Sequence, residues 1–256
     1  MKIAVCVKNA VDESELKTDS AGMPLLEGAA TKMSTFDKNA VEEAVRMKAK
    51  HGGEVVIFTV GASDAKKTIK EALAMGADRA VHIVASPGTL DSLGTSRVLA
   101  NAIKRAGGFD VVLCSEGSSD TYTGQVPPML GELLSLPYVG YARKIEVSDR
   151  VATVERSLED SIETVECRVP FVASVVSEIN EPRYPTLIQI MQASKKPMEE
   201  LAPAELGPAG LSGGNTAVIS MSAQGMVRKR VVFEGSPDET AEKLVQALAA
   251  EGVLAK

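Results

Sequence analysis

The stretch Val55-Val56-Ile57-Phe58-Thr59-Val60, then Gly61-Ala62-Ser63-Asp64, a helical run to Met75 closed by Gly76, and finally Ala80-Val81-His82-Ile83-Val84 decides the architecture. Each apolar run is short and rich in β-branched residues, as in strands buried on both faces of a parallel sheet. Between them Asp64 is the expected N-cap, and Gly76 supplies the stop. The alternation extends in both directions. Ile3 to Val7 reads as a strand, and Ala40 to Lys50 as a helix in which Ala40, Val41, Ala44, Val45 and Met47 follow helical spacing. Asp37 is its expected N-cap and Gly52-Gly53 its end. Downstream, Leu93 or Thr95 to Ala106 is helical and Val111 to Cys114 strand-like. The βαβαβαβ order predicts an α/β fold, a doubly wound, mostly parallel, Rossmann-like sheet.

Beyond Pro137 the pattern changes. Ala142 to Val147, Val151 to Ser157 and Glu163 to Val169 alternate with turn residues between them and predict an antiparallel extension; Phe171 to Val176 is one more hydrophobic strand. Residues 198 to 225, rich in Pro, Gly, Ala and Ser, read as a poorly packed linker. A last helix follows, with Asp238 as cap and Ala241, Leu244, Val245, Leu248 and Ala249 on one stripe. The expected organisation is one nucleotide-binding α/β domain over 1–197, containing a partner-recognition loop at 175–197, and a linker with a C-terminal arm over 198–256. That arm packs either on a partner or on its own domain.

The bulk properties exclude several classes. The chain has 256 residues, 45% of them hydrophobic, which is ample for a core. A net charge of -6 argues against nucleic acid as a partner, because neutralising phosphates needs a basic field. No apolar run is long enough to insert in a membrane, and Met1 opens directly into a strand-like segment, so a cytoplasmic protein is expected. Cys6, Cys114 and Cys167 lack C-x-x-C spacing and read as buried free thiols, with no metal site. His51, at a helix end, and His82, in a strand, read as structural. No catalytic residue is assigned.

In doubly wound sheets ligands bind beyond the strand C-termini. Three segments lie there: Cys6 to Val11, Val60 to Asp64, and Ser115 to Gln125. The last contains Gly117-Ser118-Ser119-Asp120-Thr121-Tyr122-Thr123-Gly124-Gln125, small hydroxyl residues and glycines preceding a helix from about Val126 to Leu134. Its backbone N–H groups suit a phosphate. Pro127 or Pro128 fits the first turn. Ordinary capping by Ser119, Asp120 or Thr123 is the other reading. There is neither a G-x-x-x-x-G-K-[ST] nor a G-x-G-x-x-G pattern.

Asn180-Glu181-Pro182-Arg183-Tyr184-Pro185-Thr186-Leu187, running through Ile190-Met191 to Lys195-Lys196-Pro197, predicts a stiff, proline-braced arm leading into a short helix capped by Thr186. Leu187, Ile190 and Met191 make a one-turn apolar stripe, and Arg183, Lys195 and Lys196 a cationic rim. Such a stripe either closes over the chain's own core or docks to a partner.

The string NEPRYPTLIQIMQASKKP, residues 180–197, resembles the recognition-loop signature of electron transfer flavoprotein β subunits, and AVCVKNAVD, ALAMGADRAVHI and the Thr123-Gly124-Gln125 loop end are similar to the same family. The likeness extends over about residues 1 to 200. It implies an adenine nucleotide α-hydrolase-like fold and a heterodimer with an electron transfer flavoprotein α subunit that holds most of the principal FAD. It further implies electron uptake from flavin dehydrogenases, such as acyl-CoA dehydrogenases of fatty acid oxidation, and delivery to a quinone oxidoreductase. AMP, or in bifurcating members a second FAD, would bind at Cys6, Lys8, Ser34, Asp37, Val60, Gly61, Ser118, Ser119, Asp120, Thr121, Tyr122, Thr123, Gly124 and Gln125. Glu13, Phe36 and Glu163 match positions near the principal flavin. Arg183, Tyr184, Pro185, Thr186, Leu187, Ile190 and Met191 match the docking loop, with Leu187 as anchor. Ser34-Thr35 stands where the family commonly has Asn-Pro, Tyr122 where it has Gln, and Glu13 where some members have an aromatic residue. On residues alone Glu163 would be a solvated edge charge and Phe36 a core residue.

The alternatives of another class are a stand-alone ATP-binding enzyme and a stress-type nucleotide sensor. The first needs a Gly-rich phosphate motif near the first strand, which Cys6-Val7-Lys8-Asn9-Ala10 lacks. The second leaves the proline-braced arm unexplained.

Overall fold

The computed structural model describes residues 1–86, 88–207, 216–221 and 229–254. From the N-terminus the elements are β1 (Lys2–Cys6), β2 (Asn9–Val11), β3 (Thr31–Met33), α1 (Thr35–His51), β4 (Glu54–Gly61), α2 (Lys66–Met75), β5 (Arg79–Val84), α3 (Ser92–Ala106), β6 (Val111–Ser115) and α4 (Val126–Leu134). Then come β7 (Tyr138–Ser148), β8 (Val151–Ser157), β9 (Ile162–Arg168), β10 (Phe171–Val175), α5 (Leu187–Ala193), β11 (Met198–Leu201) and α6 (Pro237–Ala250).

A nine-stranded sheet has the order β11-β5-β4-β1-β6-β10-β7-β8-β9. Every pairing from β11 to β7 is parallel, whereas β7–β8 and β8–β9 are antiparallel. The expected doubly wound sheet with an antiparallel extension is therefore present. Alternate residues of the central strands face opposite layers. Ile3, Val5, Val55 and Ile57 pack with α1 and α2, while Ala4, Val56, Phe58 and Val112 pack with α3 and α4. Burial on both faces is why these strands read as continuous apolar runs rather than alternating ones. The chain leaves β1 toward β4 on one side and returns through β6 on the other, which puts the topological switch point between β1 and β6.

Several local expectations are corrected. Helix α1 starts at Thr35 with Ser34 in the N-cap position, so Asp37 lies inside the first turn, fully enclosed. Its carboxylate accepts from Lys8 N at 2.6 Å and from Ser115 Oγ at 2.5 Å, leaving it no part in capping. Asp64 sits in a one-turn 3-10 segment before α2 and accepts from Asn9 and Thr31 side chains instead. Gly76 does close α2, at φ 131 where a Cβ would be strained and would also meet Val45 at 3.0 Å. At the C-terminal helix Ser236, not Asp238, is the N-cap, in a capping box with Glu239.

Residues 198–206 are not linker. β11 adds a parallel edge to β5, and Leu201 and Leu206 enter the core beside α3. Residues 208–215 and 222–225 of the expected linker lie outside the described residues. Helix α6 has no buried residue, and Leu244 and Val245 stay exposed.

Candidate functional site

The crevice at the switch point is built from the loop after β1, the first turn of α1 and the loop joining β6 to α4. Lys8 leaves β1 with its Nζ 2.7 Å from Asp120 Oδ1 and 3.3 Å from both Ser118 Oγ and Thr121 Oγ1. Asp120 also accepts from Ser118 Oγ at 2.6 Å and from Val11 N at 3.3 Å. Burial would raise its carboxyl, but the bonds from Lys8 and Ser118 outweigh that and hold it below the usual range. The loop and the end of β1 are thus tied together by a cation, a carboxylate and two hydroxyls.

The α1 end completes the walls. Ser34 Oγ accepts from Ser119 N at 3.2 Å, and Ser34 N donates to Lys8 O at 3.1 Å. Ser119 Oγ is buried without a hydrogen-bond partner. Burial lifts the Asp37 carboxyl to about 7, against the opposing bonds from Ser115 and Lys8. Phe36 and Tyr122 meet edge to face with ring centroids 5.5 Å apart, and Tyr122 holds a positive φ of 45. Val60 and Gly61 end β4 next to this wall, past the Cys6–Phe58 pairing. Cys6 and Cys114 end adjacent strands and share a sulfur hydrogen bond that, with burial, raises the Cys114 thiol well above its ordinary value. The sequence separates these two thiols; the parallel register joins them.

Neither Ser119, Asp120 nor Thr123 caps α4. Gln125 occupies that position without a side-chain cap bond. Pro127 and Pro128 have no N–H, so α4 offers few free donors at its own start. The donors lie one step earlier. The N–H groups of Thr123, Gly124 and Gln125 carry no hydrogen bond among the described residues. Gly124 holds φ 63, and a Cβ there would meet Glu116 O at 3.1 Å. Three successive N–H groups without a partner around a glycine at positive φ are a backbone pattern able to receive an anion, in the same loop whose Ser118 and Thr121 hydroxyls meet Lys8. The orphaned Ser119 hydroxyl and these donors fit a phosphate group.

The residues expected near a principal flavin divide. Phe36 borders the crevice through Tyr122. Glu13 is on the protruding β2–β3 arm, paired with Lys32 at 3.2 Å. Glu163 is on edge strand β9, where Arg156 Nη1 lies 2.8 Å away while Arg156 Nε donates to Gly140 O. It is thus an exposed edge-strand charge that is also paired with a guanidinium.

The arm is displayed. Thr186 and Gln189 form a capping box, and α5 presents Leu187 (73% exposed), Ile188 (67%), Ile190 (52%) and Met191 (67%) to solvent. Ile188 belongs to this face although the i, i+3, i+4 pattern leaves it out. Tyr184 is 92% exposed, and Pro185 half-buried. The expected cationic rim is partly engaged within the chain. Arg183 binds Glu42, and Lys196 Nζ donates to Leu73 O at 2.8 Å and Ala77 O at 2.6 Å, leaving Lys195 exposed.

A family model described as the electron transfer flavoprotein domain matches residues 25–206. The electron transfer flavoprotein subunit beta of Thermoanaerobacterium thermosaccharolyticum is 35% identical over 262 residues, covering 99% of this chain and 100% of that protein. The subunit beta of Bacillus subtilis is 33% identical over 257 residues, at 98% of each. Subunit CarD of the caffeyl-CoA reductase-Etf complex of Acetobacterium woodii is 35% identical over 201 residues, 77% of each chain. On these matches the chain belongs to the electron transfer flavoprotein family as a β subunit, an electron carrier that works in a heterodimer with an α subunit.

Proposed function

We propose that this chain docks flavin dehydrogenases, such as acyl-CoA dehydrogenases, through α5, and that its heterodimer passes their electrons to a quinone oxidoreductase while AMP occupies the β1–β6 crevice. The observation that carries the docking role is the solvent-facing apolar turn Leu187–Met191 on a capped, proline-braced helix. An exposed cluster of this kind marks an interaction surface, because it forgoes burial within its own subunit.

FAD, held mainly by the α subunit, supplies the electron acceptance and release. This chain's residues position and exclude. Phe36 and the Tyr122 ring make an apolar wall at the mouth of the crevice, and the Arg156–Glu163 pair sets a balanced charge on the extension. In the crevice, Lys8 and the Thr123–Gln125 N–H groups would hold a phosphate, and Ser119 Oγ would satisfy its own orphaned bond. A nucleotide bound only to the folded state stabilises it by RT ln(1 + [L]/Kd), which gives AMP a purpose without redox chemistry. Helix α6 packs on the α subunit, which would cover the exposed Leu244 and Val245.

A second FAD in the same pocket is the second reading, favoured by the similarity to a subunit of a reductase-Etf complex. Co-expression with the α subunit, acid release of the bound nucleotides and their separation by chromatography test both. One FAD and one AMP per heterodimer supports the first reading, and two FAD the second. A colourless, catalytically ATP-hydrolysing chain would overturn both.

A further inference from the structure

Glu42 is an enclosed carboxylate that accepts four hydrogen bonds: from Arg183 Nε at 2.7 Å, Arg183 Nη2 at 3.0 Å, Arg183 N at 3.2 Å and Arg46 Nε at 2.8 Å. Burial would raise its carboxyl, yet the two arginines outweigh that and keep it ionised below its ordinary value. Its neighbours on α1 do related work. Asn39 Nδ2 donates to Ser177 O at 3.1 Å and Asn180 O at 2.8 Å, and Asn180 Nδ2 returns bonds to Asn39 O at 3.0 Å and Glu43 Oε2 at 3.1 Å. Arg46 Nη2 reaches Glu181 O at 3.3 Å. Residues 39, 42, 43 and 46 recur at i, i+3, i+4 and i+7, one face of the helix. That face is polar, and it holds residues 177–183.

The arm has little other support at this end. From Asn180 to Pro185 no backbone-to-backbone hydrogen bond is made among the described residues. Its direction is set by α1 side chains.

The same helix reaches the nucleotide crevice with its first turn. Ser34 binds the Ser119 N–H, and Asp37 binds Ser115 and the Lys8 N–H. From residue 37 to residue 42 is roughly 7.5 Å along the axis at about 1.5 Å per residue, and a packed helix moves as a body over such a length. Ordering of the crevice by a ligand therefore restrains α1, and through it the arm.

We propose that α1 couples the nucleotide crevice to the docking arm, with Glu42 as the positioning residue that transmits the restraint through Arg183. This rests on the reading of the crevice as an adenine nucleotide site. Coupling of this kind is reciprocal: a partner bound at α5 would also tighten nucleotide binding.

The test is hydrogen exchange on the heterodimer freed of its exchangeable nucleotide, with and without added AMP. In the parent, AMP is expected to slow exchange in 117–125 and, at least about threefold, in 180–193. In Glu42→Ala, AMP is expected still to slow 117–125 but to leave 180–193 unchanged. Arg183→Met, which cuts the arm side of the contact and leaves α1 intact, should behave likewise and serves if Glu42→Ala does not fold. Slowing at 117–125 without any at 180–193 in the parent overturns the coupling alone. Slowing at 180–193 that persists in both variants overturns the role of this contact. No slowing at 117–125 overturns the nucleotide reading itself.

Discussion

Lys8 Nζ and Asp120 Oδ1 lie 2.7 Å apart across the mouth of the crevice, so the loop's own carboxylate holds the cation that a phosphate would seek. The Lys8 side chain remains 45% exposed, which leaves its ammonium able to serve a second anion. Replacing it with an apolar chain of similar length removes the charge with little loss of packing. Lys8→Met is expected to weaken AMP binding by about tenfold to a hundredfold, the range of one charge-assisted hydrogen bond of about 1.5 to 3 kcal/mol. Isothermal titration of AMP into the heterodimer checks this, and affinity equal to the parent's would remove Lys8 from the site.

Asp37 gives the protein a pH signature. Its folded pKa is about 7 because burial disfavours the carboxylate, whereas in the unfolded chain it returns to its ordinary value of 3.8. Between those values the folded state holds the proton and the unfolded state does not, so stability falls as pH rises from about 4 to 7. The full span is at most on the order of 4 kcal/mol at about 1.36 kcal/mol per unit. Asp37→Asn mimics the protonated form. Its amide oxygen can accept from Lys8 N, and its NH2 can donate to Ser115 Oγ, which already donates to Gly117 O at 2.9 Å. The variant is expected to melt higher than the parent at pH 8 and to lose much of the slope below pH 7. Thermal melts across that range would refute this if the two curves stay parallel.

The sheet was legible because its central strands are buried on both faces and written as unbroken apolar runs, as at Val55–Val60. The helix starts were less so. Asp37 and Asp64 have the composition of N-caps, and sequence cannot distinguish a carboxylate that caps its own helix from one that bonds to another segment. Strand β11 escaped because Met198-Glu199-Glu200-Leu201 is short, half charged and joined to β5 at the sheet edge, where one side needs no apolar cover. Ser118 and Asp120 were legible as a small hydroxyl loop after a strand, Lys8 only through the resemblance, and the three come together in the fold. The polar stripe of Asn39, Glu42, Glu43 and Arg46 was missed because charges on a helix ordinarily signify a solvated face. Only the fold reveals that the arm lies against it.

Lys196 makes a second check on the arm's mounting. Its ammonium binds Leu73 O in the last turn of α2, where a helix end carries partial negative charge, and Ala77 O just beyond it. Lys196→Met keeps the aliphatic stem but takes the ammonium from Ala77 O and from Leu73 O, which then keeps only its bond from Gly76 N. A loss of about 1 to 3 kcal/mol is expected, some 2 to 12 °C in melting temperature for a chain of this size. An unchanged melting temperature in scanning calorimetry would show that water replaces the ammonium without cost.

The docking face calls for a substitution that separates function from folding. Leu187 is 73% exposed, so truncating it removes little intramolecular burial and creates no cavity, and Leu187→Ala should melt within about 1 °C of the parent. In a docked complex the same side chain would enter an apolar pocket, and its loss would cost roughly 1.5 to 3 kcal/mol, at least about a tenfold weaker dehydrogenase complex. Leu201 provides the opposite case. It is 3% exposed in the core beside α3, so Leu201→Ala should lower stability by about 2 to 5 kcal/mol. In the still-folded heterodimer it should leave docking unchanged, since Leu201 packs in the α3 layer of the core whereas α5 sits against α2 on the other layer. Electron transfer rates from an acyl-CoA dehydrogenase, measured against dehydrogenase concentration at a temperature where both variants remain folded, distinguish the two. Equal half-saturation for parent and Leu187→Ala would mean that this helix is not where the partner binds.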